Sequence, residues 1–172
     1  MADKHNAIRH TSGLWHRAFL EMAAANPDVE AGHYFIDALC HDLVRDPGRF
    51  DVIVTGNLFG DILSDLAASL AGGLGLAPSA NINPETRKGL FEPVHGSAPG
   101  LAGKGVANPA AALLSAAMML DFAGLSQAAS RVEEAVEACV ADGLTTPDAG
   151  GSLTTREAGE AVLARLSGRK ER

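Results

Sequence analysis

Residues 51–65, with the sequence DVIVTGNLFGDILSD, decide the fold class of this chain. The β-branched run at 51–55 predicts a short strand buried in a parallel sheet. The apolar spacing that follows predicts a helix over 57–71, which Gly72-Gly73 ends. A strand joined by a tight turn to a helix is the repeating unit of α/β proteins, so the pattern indicates that class.

The same alternation extends towards the N-terminus. Ser12 begins a predicted helix with an apolar stripe, and Asn26-Pro27 ends it. Residues 29–36 then predict a strand, and residues 38–45 predict a second helix. Helix, strand, helix and strand in succession strengthen the α/β assignment.

The composition of the sequence changes at Leu74. Residues 74–105 are rich in Gly, Pro, Asn and Ser and have little periodicity, which predicts loops and short strands. So long a stretch inside a domain indicates a functional surface. Three further helices are predicted beyond it, over 110–122, 126–141 and 154–166, followed by a frayed tail at 167–172.

Composition argues against several classes of partner. The chain has 172 residues, 47% of them hydrophobic, and a formal net charge of −7. It has no dense Lys/Arg stripe for nucleic acid or an anionic membrane surface, and no apolar run long enough to span a bilayer. Cys40 and Cys139 are far apart and lack metal-ligand spacing, so a reducing cytoplasm is the expected location.

Asp61 and Asp65 lie one helical turn apart, just after the predicted strand at 51–55. Two like charges at this spacing repel each other. A solvated helix face is the simpler explanation of such a pair. The apolar flanks and the position at the carboxyl end of a strand, where open α/β sheets bind ligands, favour a Mg²⁺ or Mn²⁺ site instead.

Residues 90–109, with the sequence LFEPVHGSAPGLAGKGVANP, form a second constellation. No regular secondary structure is expected here. Small residues at this density let a ligand approach backbone N–H groups, and His95 can stack on a planar ring or hydrogen-bond to it. An ordinary surface loop is the alternative. No Gly-x-Gly-x-x-Gly follows a predicted strand, so the fingerprint of a classical Rossmann fold is absent.

Several segments together resemble the signature sequences of the β-decarboxylating dehydrogenases, the isocitrate/isopropylmalate dehydrogenase family. Their order and spacing match the family as well as their residues, and they cover nearly the whole chain. They are Asp3-Lys4-x-Asn6, Ile36-Asp37, NLFGDILSD at 57–65, EPVHGSAP at 92–99 and GKGVANP at 103–109.

The resemblance implies the C-terminal half of that family's two-domain α/β fold, which is not a classical Rossmann fold. Residues 1–72 are then part of the small, dimer-forming domain with metal and catalytic residues. Residues 73–172 are the C-terminal part of the large nucleotide-binding domain.

An active site between the two subunits of a homodimer is also implied. In the family, aspartates matching Asp61 and Asp65 bind Mg²⁺ or Mn²⁺ together with a third, matching Asp37, from the partner subunit. A lysine matching Lys4 is likewise contributed across the dimer and moves the proton of the substrate hydroxyl. The predicted metal ligands are therefore Asp37, Asp61 and Asp65, and the predicted catalytic residues are Lys4 and Asp37.

A nicotinamide nucleotide site is implied as well. Relatives that use NAD carry an aspartate directly after HGSAP and those that use NADP a basic residue, whereas this chain has Gly100 and Leu101. No cationic pair is present there for a 2′-phosphate, so NAD is expected and NADP stays open. The predicted cofactor-binding residues are Gly72, Gly73, Gly75, Glu92, His95, Gly96, Ser97, Ala98 and Asn108.

The expected reaction is metal-dependent oxidative decarboxylation of a malate-like 2-hydroxy acid, of tartrate, D-malate or 3-isopropylmalate type, with hydride transfer to NAD. Residues 36–40, 77–85 and 146–148 look most like the tartrate and D-malate branch, although Phe35 replaces a histidine of that branch. The family's substrate-clamping arginines and catalytic tyrosine belong to its first half, which matches no part of this sequence, so the chain alone is expected to be inactive.

Two alternatives remain at this point. The chain could be a truncated, non-catalytic paralogue that acts as a dimerisation or regulatory piece. An unrelated Mg²⁺ phosphohydrolase could use the Asp61 and Asp65 pair, but it would leave residues 92–109 unexplained.

Overall fold

The computed structural model describes residues 1–168, and their contacts divide them into two units. The first is Met1–Leu70, and the second begins at Ala71. The resemblance predicted a boundary between residues 72 and 73. The structure places the boundary two residues earlier, between residues 70 and 71. No helix in the described part of the chain is long and apolar enough to cross a lipid bilayer.

The first unit has three helices packed around very short strands. Ala2 pairs with Tyr34 and Asp3 with Phe35 in parallel register, and Ala2 also forms a single parallel bridge with Thr55. Its elements are β1 (Ala2–Asp3), α1 (Thr11–Ala25), β2 (Tyr34–Phe35), α2 (Ile36–Arg45) and α3 (Asn57–Leu70), with a 3₁₀ turn at Pro47–Arg49. The buried apolar residues of this unit that cluster together are Ala2, Leu39, Leu43 and Leu63.

Both strands predicted for this unit are wrong in extent. Residues 29–36 contain only the two-residue strand Tyr34–Phe35, and Ile36 already begins α2. The run at 51–55 is not a buried strand, because Val52 is 86% exposed and only Thr55 forms a bridge. Within residues 1–168 both segments pair only with Ala2–Asp3, a partner too short to extend either of them as a strand.

The second unit combines a β-hairpin with three helices. Strands β3 (Pro78–Asn83) and β4 (Lys88–Pro93) are antiparallel, with Pro78 opposite Pro93 and Asn83 opposite Lys88. The helices are α4 (Ala110–Phe122), α5 (Ser126–Ala141) and α6 (Thr155–Leu166). Three 3₁₀ turns connect the elements, at Leu74–Leu76, Pro99–Leu101 and Pro147–Ala149.

The expectation that residues 90–109 lack regular structure is wrong for their first four residues, which belong to β4. Phe91 on this strand packs against Phe122 of α4, with ring centroids 5.5 Å apart. The helix thus supplies an apolar partner for the hairpin, and this contact between distant residues could not be read from the Gly- and Pro-rich sequence.

The three helices predicted for the second unit are confirmed. Small side chains let them approach closely, and α6 begins with a capping box in which Thr154 and Glu157 bind each other's backbone N–H groups. The buried residues of this core are Ala110, Ala135, Val136, Cys139, Ala161 and Val162. Of the tail predicted to fray, Ser167 bonds back to the carbonyl of Leu163, and residues 169–172 lie outside the described residues.

Candidate functional site

Lys4 and Asp37, the two residues predicted to be catalytic, are in contact in the first unit. The Lys4 ammonium Nζ lies 2.5 Å from Asp37 Oδ1, and 5.5 Å from the centroid of the Phe35 ring. Lys4 follows β1 directly and Asp37 lies in the first turn of α2, so the pairing of β1 with β2 brings them together. The hydrogen bond from Lys4 is the main cause that holds the pKa of Asp37 below its ordinary value.

Asp61 and Asp65 lie on α3, and both are exposed. Within residues 1–168, neither carboxylate has a hydrogen bond or an ion pair; Ser64 and Ser69 bond only to the backbone carbonyls of these aspartates. Two unpaired carboxylates one turn apart offer hard oxygen ligands of the kind that Mg²⁺ and Mn²⁺ prefer, so the residues fit the predicted ion.

Asp37, Asp61 and Asp65 do not converge into one three-ligand group within the described part of a single chain. Lys4 and Asp37, which the resemblance assigns to one subunit, lie together, whereas Asp61 and Asp65 lie on another helix. The site between two subunits that the resemblance implies stays a prediction.

A cavity of about 810 Å³ lies in the second unit. Its volume falls within the range of roughly 300–1,000 Å³ that is usual for small-molecule and cofactor sites. Six of the nine residues predicted to bind the nucleotide line this cavity, and they are Gly75, His95, Gly96, Ser97, Ala98 and Asn108. The structure therefore brings most of the predicted set into one concave site.

The loop from His95 to Ala98 has an unusual backbone conformation at Ala98. Ala98 adopts a φ of 41°, in the left-handed region that non-glycine residues rarely occupy and that is enriched at ligand sites. His95 Nδ1 lies 2.9 Å from the carbonyl oxygen of Gly96. Because a carbonyl only accepts, Nδ1 carries the proton, and Nε2 of a neutral His95 is left as an acceptor for a ligand N–H group.

Asn108 is held by two hydrogen bonds at the start of α4. Its Oδ1 accepts from the backbone N–H of Ala110 at 3.0 Å, and its Nδ2 donates to Asp148 Oδ2 at 3.2 Å. Gly75 packs against both side chains, with no room there for a Cβ atom. The glycine is thus required by the close approach of Asn108 and Asp148.

Asp148 also lines the cavity, and sequence reasoning did not select it as a site residue. Its Oδ1 accepts a hydrogen bond of 2.6 Å from the hydroxyl of Thr146, a completely buried residue. The resemblance of residues 146–148 to one branch of the family was the only signal in the sequence, since Asn108 and Asp148 are 40 residues apart.

The other three predicted cofactor residues lie outside the lining of this cavity. Gly72 and Gly73 follow α3 with φ values of 110° and 113°, which explains why glycine occupies both positions. Glu92 is exposed on β4, where it pairs with Ser79. Their role in binding a nucleotide stays a prediction.

A buried aspartate next to Lys4 was also missed. Burial by itself raises the pKa of Asp3, but hydrogen bonds from the backbone and ring of His5 and from the ring of His33 outweigh it, so the net pKa lies below its ordinary value. The pKa of nearby His16 is lowered, mainly by burial and then by the proximity of His33 and His5.

Comparison with known proteins gives extensive matches. A family model described as isocitrate/isopropylmalate dehydrogenase matches residues 1–162. The chain is 53% identical over 165 residues to 3-isopropylmalate/3-methylmalate dehydrogenase of Methanocaldococcus jannaschii, covering 96% of this chain and 49% of that protein. It is 54% identical over 166 residues to isocitrate/homoisocitrate dehydrogenase of Thermus thermophilus, with 96% and 49% covered.

Solved structures also match over nearly the whole length of this chain. Isocitrate dehydrogenase from Methylococcus capsulatus superposes with a TM-score of 0.92 at 46% identity, over 98% of this chain and 50% of that one. The apo form of a beta-decarboxylating dehydrogenase from Thermococcus kodakarensis gives 0.81 at 41% identity, over 97% and 48%. These matches confirm the predicted fold class, and the chain spans about half the length of the relatives.

Proposed function

Since the chain belongs to the isocitrate/isopropylmalate dehydrogenase family and corresponds to its C-terminal half, we propose that it is the nucleotide- and metal-binding portion of a decarboxylating dehydrogenase. Its substrate is a malate-like 2-hydroxy acid, and the hydride passes to NAD. The observation that carries the proposal is the 810 Å³ cavity, because one site collects six residues chosen from sequence alone.

NAD fits this cavity better than NADP does. Asp148 is the only acidic side chain in the lining, and neither Lys nor Arg is among the described lining residues. A 2′-phosphate carries up to two negative charges and is normally met by Arg or Lys. Gly100 and Leu101 supply no such group, so the neutral ribose hydroxyl of NAD is the better match, and NADP is the weaker ligand.

Lys4 and Asp37 act on the substrate hydroxyl. Asp37 orients the Lys4 side chain, and Lys4 Nζ acts in the transfer of the hydroxyl proton. Asp37, Asp61 and Asp65 would hold Mg²⁺ or Mn²⁺, with Asp37 and Lys4 contributed across a homodimer to the opposite site. A cation bound there would supply Lewis-acid polarisation of the substrate's C2 oxygen and stabilisation of the charge that decarboxylation develops.

The substrate carries a carboxylate on each side of the reacting carbons, as in tartrate, D-malate or 3-isopropylmalate. The relatives named above act on 3-isopropylmalate, 3-methylmalate, isocitrate or homoisocitrate, which share a malate backbone. The tartrate and D-malate type is supported here only by residues 36–40, 77–85 and 146–148. We expect the protein to work in the cytoplasm, because Cys40 and Cys139 are far apart in the sequence and lack metal-ligand spacing.

Nucleotide binding by the chain itself is the direct test. NADH fluorescence is titrated with the protein and with two variants, His95→Ala in the cavity and His41→Ala, a control on α2. Loss of one hydrogen bond and a stacking face should weaken binding by His95→Ala about tenfold, or roughly 1.4 kcal/mol. The control should bind like the parent protein. Equal affinity of all three, or no binding at all, would favour the non-catalytic alternative.

A further inference from the structure

Three histidines converge on Asp3 in the first unit, and the sequence had not suggested this cluster. His5 follows β1 in the turn after Lys4, His16 lies on α1 and His33 directly precedes β2. One ligand atom from each of the four residues lies within 4.8 Å of the other three. Asp3 is almost fully buried, whereas the three histidine side chains are 22–32% exposed, so an ion can enter from solvent.

Hydrogen bonding satisfies only half of this cluster. Asp3 Oδ1 accepts from the His5 backbone at 3.0 Å and lies 2.9 Å from His5 Nδ1 and 3.1 Å from His33 Nε2. Asp3 Oδ2 and His16 Nδ1 are buried with no hydrogen-bond partner, and no other side-chain atom of residues 1–168 is in that position. Buried polar atoms are nearly always paired, so this exception needs an explanation.

These two atoms, which have no hydrogen-bond partner, lie 3.5 Å apart. That separation is too long for a good hydrogen bond. It is close to the edge of a zinc tetrahedron, which is about 3.3 Å when each ligand lies 2.0–2.1 Å from the ion. A cation between Oδ2 and Nδ1 would therefore satisfy both atoms at once.

We propose that Asp3, His5, His16 and His33 form a binding site for a divalent transition metal ion of the zinc class. Three imidazole nitrogens and one carboxylate oxygen are a common ligand set for Zn²⁺, and a poor one for Mg²⁺, which requires mainly oxygen ligands. The most distant pair of ligand atoms must approach by at most about 1.5 Å to reach tetrahedral spacing, and rotation of partly exposed rings provides this.

The site would join three separate parts of the first unit. It links the end of β1 to α1 and to the residue before β2, across 30 residues of sequence between Asp3 and His33. Because Lys4 lies between two of the ligands, a bound ion would also fix the backbone that carries the catalytic lysine. The expected result of binding is a higher Tm, since an ion that binds only the folded state stabilises it.

The test is a titration of the full chain with Zn²⁺ and with Co²⁺, in the presence of excess Mg²⁺ to saturate exposed carboxylates. One equivalent should bind, Co²⁺ should show the intense visible bands of a tetrahedral complex, and the Tm should rise. His16→Gln should weaken Zn²⁺ binding more than about 100-fold, beyond the 10–100-fold typical of outer-shell changes. The matched control is His41→Gln, an exposed histidine on α2 bonded to Asp42, which should bind like the parent protein.

A second variant keeps the test decisive if His16→Gln folds poorly. His33→Gln removes a different ligand from a loop, and circular dichroism in EDTA establishes that each apo variant is folded. Equal Zn²⁺ affinity in the parent and in both folded variants would overturn the proposal. So would an octahedral Co²⁺ spectrum or a Tm that Zn²⁺ leaves unchanged, and the cluster would then be a hydrogen-bonded network around Asp3.

Discussion

Replacing Asp148 by alanine should destabilise the second unit by about 2 kcal/mol. The carboxylate accepts a 2.6 Å hydrogen bond from the buried Thr146 hydroxyl and a 3.2 Å bond from the Asn108 amide. A hydrogen bond to a charged group contributes roughly 1.5–3 kcal/mol, and the exposure of Asp148 places this one near the lower end. Alanine would leave a buried hydroxyl without an acceptor, and that desolvation dominates the loss.

A double-mutant cycle with Thr146→Val isolates this interaction. Valine removes the hydroxyl with little change in shape, so Thr146→Val alone should cost about 1 kcal/mol, because the exposed carboxylate regains water. In the Asp148→Ala background the same change should cost almost nothing, since it removes the unsatisfied group. The coupling free energy should therefore be about 1 kcal/mol or more.

Far-UV circular dichroism during urea unfolding is the suitable assay, supported by hydrogen exchange in α4 to α6. Fluorescence would mislead, because Trp15 and Tyr34, the one tryptophan and one tyrosine of the chain, lie in the first unit. If the unfolding free-energy changes of the two single variants add up to that of the double variant, the proposed role of the Thr146–Asp148 hydrogen bond is refuted. NADH binding adds a second readout: it should weaken in Asp148→Ala, which frees Asn108, and stay unchanged in Thr146→Val.

Four further predictions concern the proposed function and the isolated chain. In protein that includes the family's first half, Asp65→Ala should weaken Mn²⁺ binding more than about tenfold by calorimetry, and equal affinities would remove Asp65 from the metal site. In the same longer protein, NAD should be used with a modest preference over NADP. Gly100→Asp should raise the ratio of kcat/KM for NAD to that for NADP. A strong preference of the parent protein for NADP would contradict the NAD assignment. Residues 1–172 alone should produce no NADH from D-malate, tartrate, isocitrate or isopropylmalate with Mg²⁺ or Mn²⁺, because the family's carboxylate-clamping arginines lie in its first half. The exposed side chains of Val52 and Val54 should make that chain self-associate in light scattering. Robust turnover would refute the expected inactivity, and a clean monomer would refute the expected association.

Local information was sufficient to locate the helices, although Ser12 lies inside α1, which begins at Thr11, and does not cap it. Helices α4 and α5 begin and end at the predicted residues, and Thr154 is the N-cap of α6, because periodicity and caps act within a few residues along the chain. The loop at 95–98 and Asn108 were likewise found from their sequence, since the motif residues themselves line the cavity.

Strands could not be predicted in the same way. A run such as 51–55 has the composition of a buried strand, but its burial depends on neighbours that only the tertiary arrangement supplies. Hairpin β3–β4 could not be predicted because its Gly- and Pro-rich sequence lacks the composition of a strand. The hairpin is stabilised by Phe122, which lies on a helix distant in sequence.

The sequence by itself determined the fold class, the helices and the motif residues, all of which depend on spacing along the chain. Tertiary structure alone decided which side chains meet. It paired Lys4 with Asp37 across 33 residues, Asn108 with Asp148 across 40, and Asp3 with His33 across 30. Such contacts have no local signature, because a carboxylate is bound wherever packing places a donor, and packing is a property of the whole folded chain.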